Sequence, residues 1–216
     1  MKQVYVFGDS LSWGIIPDTR RRHPFHVRCD GVVGERVVCR GEKGRGGEDC
    51  LNGRSTVWED TFKPGRDGRT GLAAKIEAAS PLSVVIIMLG TNDFQSMHPH
   101  NAWHSGQGMA VLVDIVRNAP IEPGMPRPPI LIVAPPRAQT PKGAIAEKFL
   151  GADTKCVGLA DALRKVATEL DCAYFDANKV ISTSPIDGVH LDADAHIALG
   201  EALTGVVQPL IADRGS

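Results

Sequence analysis

Gln3-Val4-Tyr5-Val6-Phe7-Gly8-Asp9-Ser10 is the stretch on which the reading of this chain turns. Val4 to Phe7 are β-branched or aromatic, the composition of a buried strand, and Gly8-Asp9-Ser10 follows without a gap. An open α/β sheet presents ligand-contacting groups at the carboxyl ends of its strands, and Ser10 stands at one. Further along, Val84-Val85-Ile86-Ile87-Met88-Leu89 is an unbroken apolar run, as expected of a strand covered on both faces. Ile130-Leu131-Ile132-Val133 and the shorter Ala173-Tyr174-Phe175 repeat the pattern.

Between these runs apolar residues recur at helical spacing. Leu72, Ile76 and Ala79 mark one helix, and Met109, Val113 and Val116 a second, with Asn101 as its cap. Val157, Ala160, Leu163, Ala167 and Leu170, preceded by Thr154, mark a third, and Leu199, Leu203, Val206 and Leu210 the last. Strands alternating with helices predict an α/β fold, a parallel sheet with helices on both faces. At 216 residues, one domain spanning 1–216 is expected. From Arg28 to Asp49 neither helix nor strand is legible, because Gly41 to Gly47 sets four glycines among charges.

The formal charge of −1, with both signs mixed throughout, argues against nucleic acid or an acidic membrane as partner. Arg20-Arg21-Arg22 reads as a solvated loop. The five cysteines (29, 39, 50, 156 and 172) are odd in number and lack CxxC spacing, as in a cytoplasmic protein with reduced thiols. Met1-Lys2 leads straight into the first strand, and no apolar run reaches the roughly 18–20 residues of a membrane span. A cytoplasmic location is therefore expected.

A serine hydroxyl is a weak nucleophile and needs a base within hydrogen-bond reach. His190 is the candidate base and Asp187, three residues earlier, the carboxylate that orients it. Asn92, in Gly90-Thr91-Asn92-Asp93, offers a side-chain amide to a developing oxyanion. The backbone N–H of Ser10 is a second donor and that of Gly53 a third, though Gly53 read alone is as much a turn glycine as a donor. Asp9 and Asp93, beside glycines at strand ends, are expected to hold loop backbone rather than act as an acid pair.

Gly8-Asp9-Ser10-Leu11-Ser12-Trp13-Gly14, Gly90-Thr91-Asn92-Asp93 and Asp187-Gly188-Val189-His190 resemble blocks I, III and V of the GDSL/SGNH hydrolase family, in order and over most of the chain. The wording around them is closest to that family's bacterial aryl esterases. The resemblance implies a flavodoxin-like three-layer α/β/α sandwich. It also implies Ser10 as nucleophile, Asp187 and His190 as its partners, and Ser10, Gly53 and Asn92 as oxyanion donors. No cofactor and no metal are implied. The expected activity is hydrolysis of a small-molecule ester with a short acyl chain through an acyl-Ser10 intermediate, with acyl transfer as an extension and a homo-oligomeric state. An acetyl-sugar deacetylase of the same fold and a non-enzymatic ligand-binding protein are the alternatives.

Trp13, Phe94 and Trp103 are candidates for the substrate pocket, although core packing is the default for such rings. His98, His100 and His104 invite a zinc site but lack the helical HExxH frame, so a rim or a subunit contact is expected of that loop. No GxxxxGK[ST] run and no G-x-S-x-G elbow occur, which argues against a phosphate-binding loop and against the α/β-hydrolase fold.

Overall fold

The computed structural model describes residues 2–38 and 44–212. Its elements run β1 (Lys2–Gly8), α1 (Ser10–Trp13), α2 (Cys29–Val38), β2 (Gly44–Cys50), α3 (Leu72–Ala79), β3 (Val84–Met88), α4 (Ala102–Arg117), β4 (Ile130–Ala134), α5 (Ala152–Lys155), α6 (Leu159–Glu169), β5 (Ala173–Asp176) and α7 (Ala193–Ala212). The strands form one parallel sheet in the order β2-β1-β3-β4-β5.

Alternation within the strands divides the core into two layers. Tyr5, Phe7, Val85, Ile87, Ile130 and Ile132 face α3, α4 and α6 through Leu72, Ile76, Met109, Leu112, Val113 and Leu163. Val4, Val6, Val84, Ile86, Met88, Leu131 and Val133 face α2 and α7 through Cys29, Val33, Val37, Leu199, Leu203, Val207 and Ile211. A strand buried on both faces must be apolar at every position, which is why β3 and β4 read as unbroken runs. Two helix layers around a parallel sheet are the three-layer arrangement expected from the sequence. By length and composition α7 is apolar enough to cross a membrane, but here one face of it packs on the sheet.

Three local expectations need correction. The stretch from Arg28 to Asp49 does contain a helix and a strand. Cys29, Val33 and Val37 lie four residues apart and put one buried stripe of α2 on the sheet; Gly31 and Gly34 had obscured it. β2 carries no large apolar residue, so its pairing along the whole of β1, not its own composition, makes it a strand. Cys39 and the other residues from 39 to 43 lie outside the described residues. The third helical stripe is really two helices, broken at Gly158, with Thr154 inside α5 and Val157 exposed. On α7 the fully buried positions are Leu199, Leu203, Val207 and Ile211, whereas Val206 and Leu210 are half-buried.

The strand order places the site. From β1 the chain steps outward to β2, then crosses back so that β3 lies on the other side of β1. Between β1 and β3 the connections diverge, which opens a crevice at the carboxyl ends of the strands. Gly8 pairs with Met88 at that edge, so the loops carrying Ser10 and Asn92 leave the sheet side by side.

Candidate active site

Asp9 caps α1, its Oδ1 accepting the N–H of Leu11 at 2.8 Å, so Ser10 begins a helical turn at the sheet edge. The loop before α7 supplies the other half of the site. Asp187 Oδ1 accepts the N–H groups of Val189 and His190, each at 2.9 Å, which folds the tetrapeptide into a tight turn. That turn needs Gly188: its φ is 78°, and a Cβ there would lie 2.4 Å from the carbonyl oxygen of Thr140. The imidazole of His190 is thereby held between two partners, with Nδ1 2.7 Å from Asp187 Oδ2 and Nε2 3.2 Å from Ser10 Oγ.

All three side chains are buried, Ser10 at 5%, Asp187 at 1% and His190 at 6% exposure. Burial disfavours the ionised form of Asp187, but the hydrogen bond and charge of His190 and the two backbone N–H groups outweigh it, and its pKa is lowered to about 2. An ionised Asp187 accepts a hydrogen bond from Nδ1–H of His190, leaving Nε2 with its lone pair toward Ser10.

Asn92 is also fixed from two sides. Its Nδ2 donates to Asp9 Oδ2 at 2.9 Å, and its Oδ1 accepts from Gln95 Nε2 at 2.8 Å. A carboxylate only accepts, so the amide orientation is determined, and the second N–H of Nδ2 is left for the cleft. The N–H groups of Ser10 and Gly53 have no protein acceptor among the described residues, and both residues line the cleft with Asn92 and His190. Three donors without competing acceptors therefore stand around one small space.

Gly53 is held in place by Arg54 and Arg66, to which the sequence reading gives no role, and by Asp93, expected there to hold loop backbone. The buried guanidinium of Arg54 donates to the carbonyl of Gly8 at 3.0 Å, to Asp49 Oδ1 at 2.7 Å and to the carbonyl of Asp49, and it covers the ring of Phe7 at 4.0 Å. This clamps the loop after β2 onto the end of β1. Arg66 Nε reaches the carbonyl of Asn52 at 3.0 Å from the other side. Asp93 accepts the N–H of Thr56 at 2.8 Å and its hydroxyl at 2.7 Å, tying the turn after β3 to the same loop. Asp9 and Asp93 thus organise backbone and amides. Burial pushes the pKa of each up to about 6, against their hydrogen bonds. The signal for Arg54 was its place directly after Gly53; for Gln95 it was a spacing of three from Asn92 in a single helical turn.

The candidate pocket aromatics are elsewhere. Phe94 is 1% exposed and belongs to the core. Trp103 is 64% exposed on the outside of α4, against His104. Trp13 stacks beneath the guanidinium of Arg22 instead of lining the cleft. The walls beside Ser10 and His190 are Ile15, Ile145 and Phe149, with Arg20, Lys63 and Lys148 at the rim, around a volume of about 110 Å³. Arg20 therefore faces the cleft, which the sequence reading of its loop did not anticipate. His98 and His100 stack on one another and His100 on Trp58, at 5.2 and 3.9 Å between ring centres. Among the described residues no three His, Cys, Asp or Glu side chains stand close enough to hold a metal ion.

The model of the GDSL-like lipase/acylhydrolase family matches residues 6–198. The chain belongs to this family. The inhibitor-bound aryl esterase of M. smegmatis superimposes with a TM-score of 0.91 at 31% identity, covering 97% of this chain and 100% of that one. A carbohydrate acetylesterase family member from Sinorhizobium meliloti does so with a TM-score of 0.91 at 33% identity, covering 98% and 100%. No curated protein matches the chain in sequence. Family and neighbours agree that this GDSL-like protein is a carboxylic ester hydrolase with the SGNH hydrolase fold.

Proposed function

We propose that this GDSL-family hydrolase cleaves short-chain acyl esters, aryl or alkyl, by a two-step acyl-enzyme mechanism. The observation that carries this reading is the placement of His190 between Asp187 and Ser10, beside three free N–H donors. As the Ser10 oxygen attacks the ester carbonyl, its proton passes to His190 Nε2, and Asp187 stabilises the imidazolium. The carbonyl oxygen gains charge as the tetrahedral intermediate forms. The N–H groups of Ser10, Gly53 and Asn92 receive it, each typically worth about 2.7–4 kcal/mol. His190 returns the proton to the leaving alcohol or phenol, and water, activated by the same imidazole, then releases the acid from Ser10.

The small volume beside Ser10, about 110 Å³, suits a short acyl group. A neighbouring depression of about 440 Å³, sharing Lys63 and Lys148 with it, leaves room for the remainder of the substrate. Quenching turnover of an acetyl ester at low pH and mapping the peptides tests the reading. One added acetyl group on the peptide carrying Ser10 is expected; acetylation of another residue, or of none during demonstrable turnover, would overturn it.

Acyl transfer to an alcohol extends the same reading, favoured by the apolar walls Ile15, Ile145 and Phe149 that limit water at the acyl-enzyme. Free acid as the sole product in dilute alcohol would remove it. Removal of acetyl groups from carbohydrate is the second reading, favoured by the likeness to the S. meliloti protein. The four described cysteines are free thiols, which favours a cytoplasmic setting. A homo-oligomer is proposed from the exposed apolar side chains Phe62, Trp103, Val157 and Ile186, with sedimentation as the test.

A further inference from the structure

Three cations share the cleft with the reacting groups. Arg20, Lys63 and Lys148 line the same space as Ser10, Asn92 and His190. Only Lys148 has a carboxylate partner, Asp60 at 3.3 Å, and the other oxygen of Asp60 is already engaged by the N–H groups of Phe62 and Lys63. Among the described residues Arg20 and Lys63 have none. Asp9 and Asp187 are buried beneath the cleft and spoken for by Asn92 and His190, and Glu147 lies in the neighbouring depression. Two unpaired positive charges and a third shared with Asp60 thus border a cleft whose own lining holds no carboxylate, in a chain whose formal net charge is −1.

We infer that this rim is an anion subsite, and that the substrate is an ester whose alcohol portion carries a carboxylate or sulfonate group. The inference rests on the esterase reading above and adds to it the class of ester. The short acyl group occupies the small volume beside Ser10. The alcohol portion then leaves along Lys63 and Lys148, the two residues common to the cleft and the larger depression. Half-buried Lys63 is held below the usual lysine range by burial and then by repulsion from Arg66, Arg20 and Lys148, with Asp60 opposing. A bound anion would relieve that repulsion, whereas lysines serving only solubility gain nothing from being gathered at a cleft.

The test compares 4-acetoxybenzoate and 4-acetoxybenzenesulfonate with the neutral methyl 4-acetoxybenzoate, for the wild type and for Arg20→Gln, Lys63→Gln and the double variant. The intrinsic reactivity of each ester cancels when the anionic-to-neutral ratio of kcat/KM is compared between enzymes. The double variant is expected to lower that ratio by roughly tenfold for one or both anions. Half-molar salt should erase the wild-type preference, as screening of exposed charges requires. An unchanged, salt-insensitive ratio together with normal hydrolysis of the neutral ester would overturn the anion subsite and leave the esterase reading standing. If none of the three esters is hydrolysed and Ser10 is not acylated, the esterase reading fails and the subsite with it. Whichever of the two anions responds more to the substitutions separates carboxylate from sulfonate recognition.

Discussion

The carboxylate of Asp9 after β1 lies 2.9 Å from the amide nitrogen of Asn92 after β3, so a buried acid fixes across the crevice the amide proposed as an oxyanion donor. Gln95 completes the hold by donating to Asn92 Oδ1. The amide is thereby ready for the transition state before substrate arrives, which is the condition under which such a donor contributes most.

Asn92→Ala is expected to lower kcat by about 10²–10³-fold with little change in KM, because the lost hydrogen bond strengthens only as charge develops. Asp9→Asn should fall in the same direction, since its own NH₂ would meet that of Asn92 donor to donor. Steady-state kinetics of both variants check this. A KM effect without a kcat effect would remove Asn92 from the oxyanion role.

Asp187→Asn should reduce kcat by roughly 10³–10⁴-fold while the fold is retained, because an amide at this position no longer fixes the proton on Nδ1 of His190. The corresponding change at Asp176, which caps a turn away from the cleft, should leave activity within about twofold.

Asp187 and the pair Asp9 and Asp93 give opposite signs in the dependence of stability on pH. With a folded pKa of about 2, Asp187 contributes stability that is present above its unfolded value and lost as pH falls through about 2. With folded values of about 6, Asp9 and Asp93 favour the folded state in their protonated form. That contribution is present below their unfolded pKa and is lost as pH rises through about 6. Asp93→Asn keeps an acceptor for the N–H of Thr56 and removes one of these titrations. It should therefore flatten the decline in Tm between pH 4 and 6 and raise Tm at pH 8 by a few degrees, roughly. A parallel wild-type and variant profile in thermal melts would contradict this.

Gly188→Ala should remove most activity and destabilise the protein by about 1–3 kcal/mol, since it adds a Cβ at positive φ against the Thr140 carbonyl. Gly65→Ala, also at positive φ but with open space around it, separates strain from collision and should retain activity.

The sheet was legible where a strand is covered on both faces, because burial forces β3 and β4 to be apolar throughout. It was not legible at β2, whose strand conformation is imposed by β1. The spacing of Asp187 and His190 could be read because a single turn of chain joins them; Arg54 acts on the carbonyl of Gly8, whose proximity only the fold creates. The pocket walls were misjudged for a related reason. Phe94 follows the Gly90–Asp93 motif directly, yet the turn that sets Asn92 at the cleft carries Phe94 into the core. Ile15 follows α1, whereas Ile145 and Phe149 lie one turn apart in the connection between β4 and α5, and only the fold brings the two segments together.

Turnover of p-nitrophenyl acetate by the wild type beside Ser10→Ala tests the central claim most directly. Loss of at least about 10³-fold in kcat, with an unchanged circular dichroism spectrum, is the predicted result for a hydroxyl that forms the acyl-enzyme. Equal rates in the two proteins would contradict the account, because the ester would then be cleaved without the Ser10 oxygen that His190 is positioned to deprotonate.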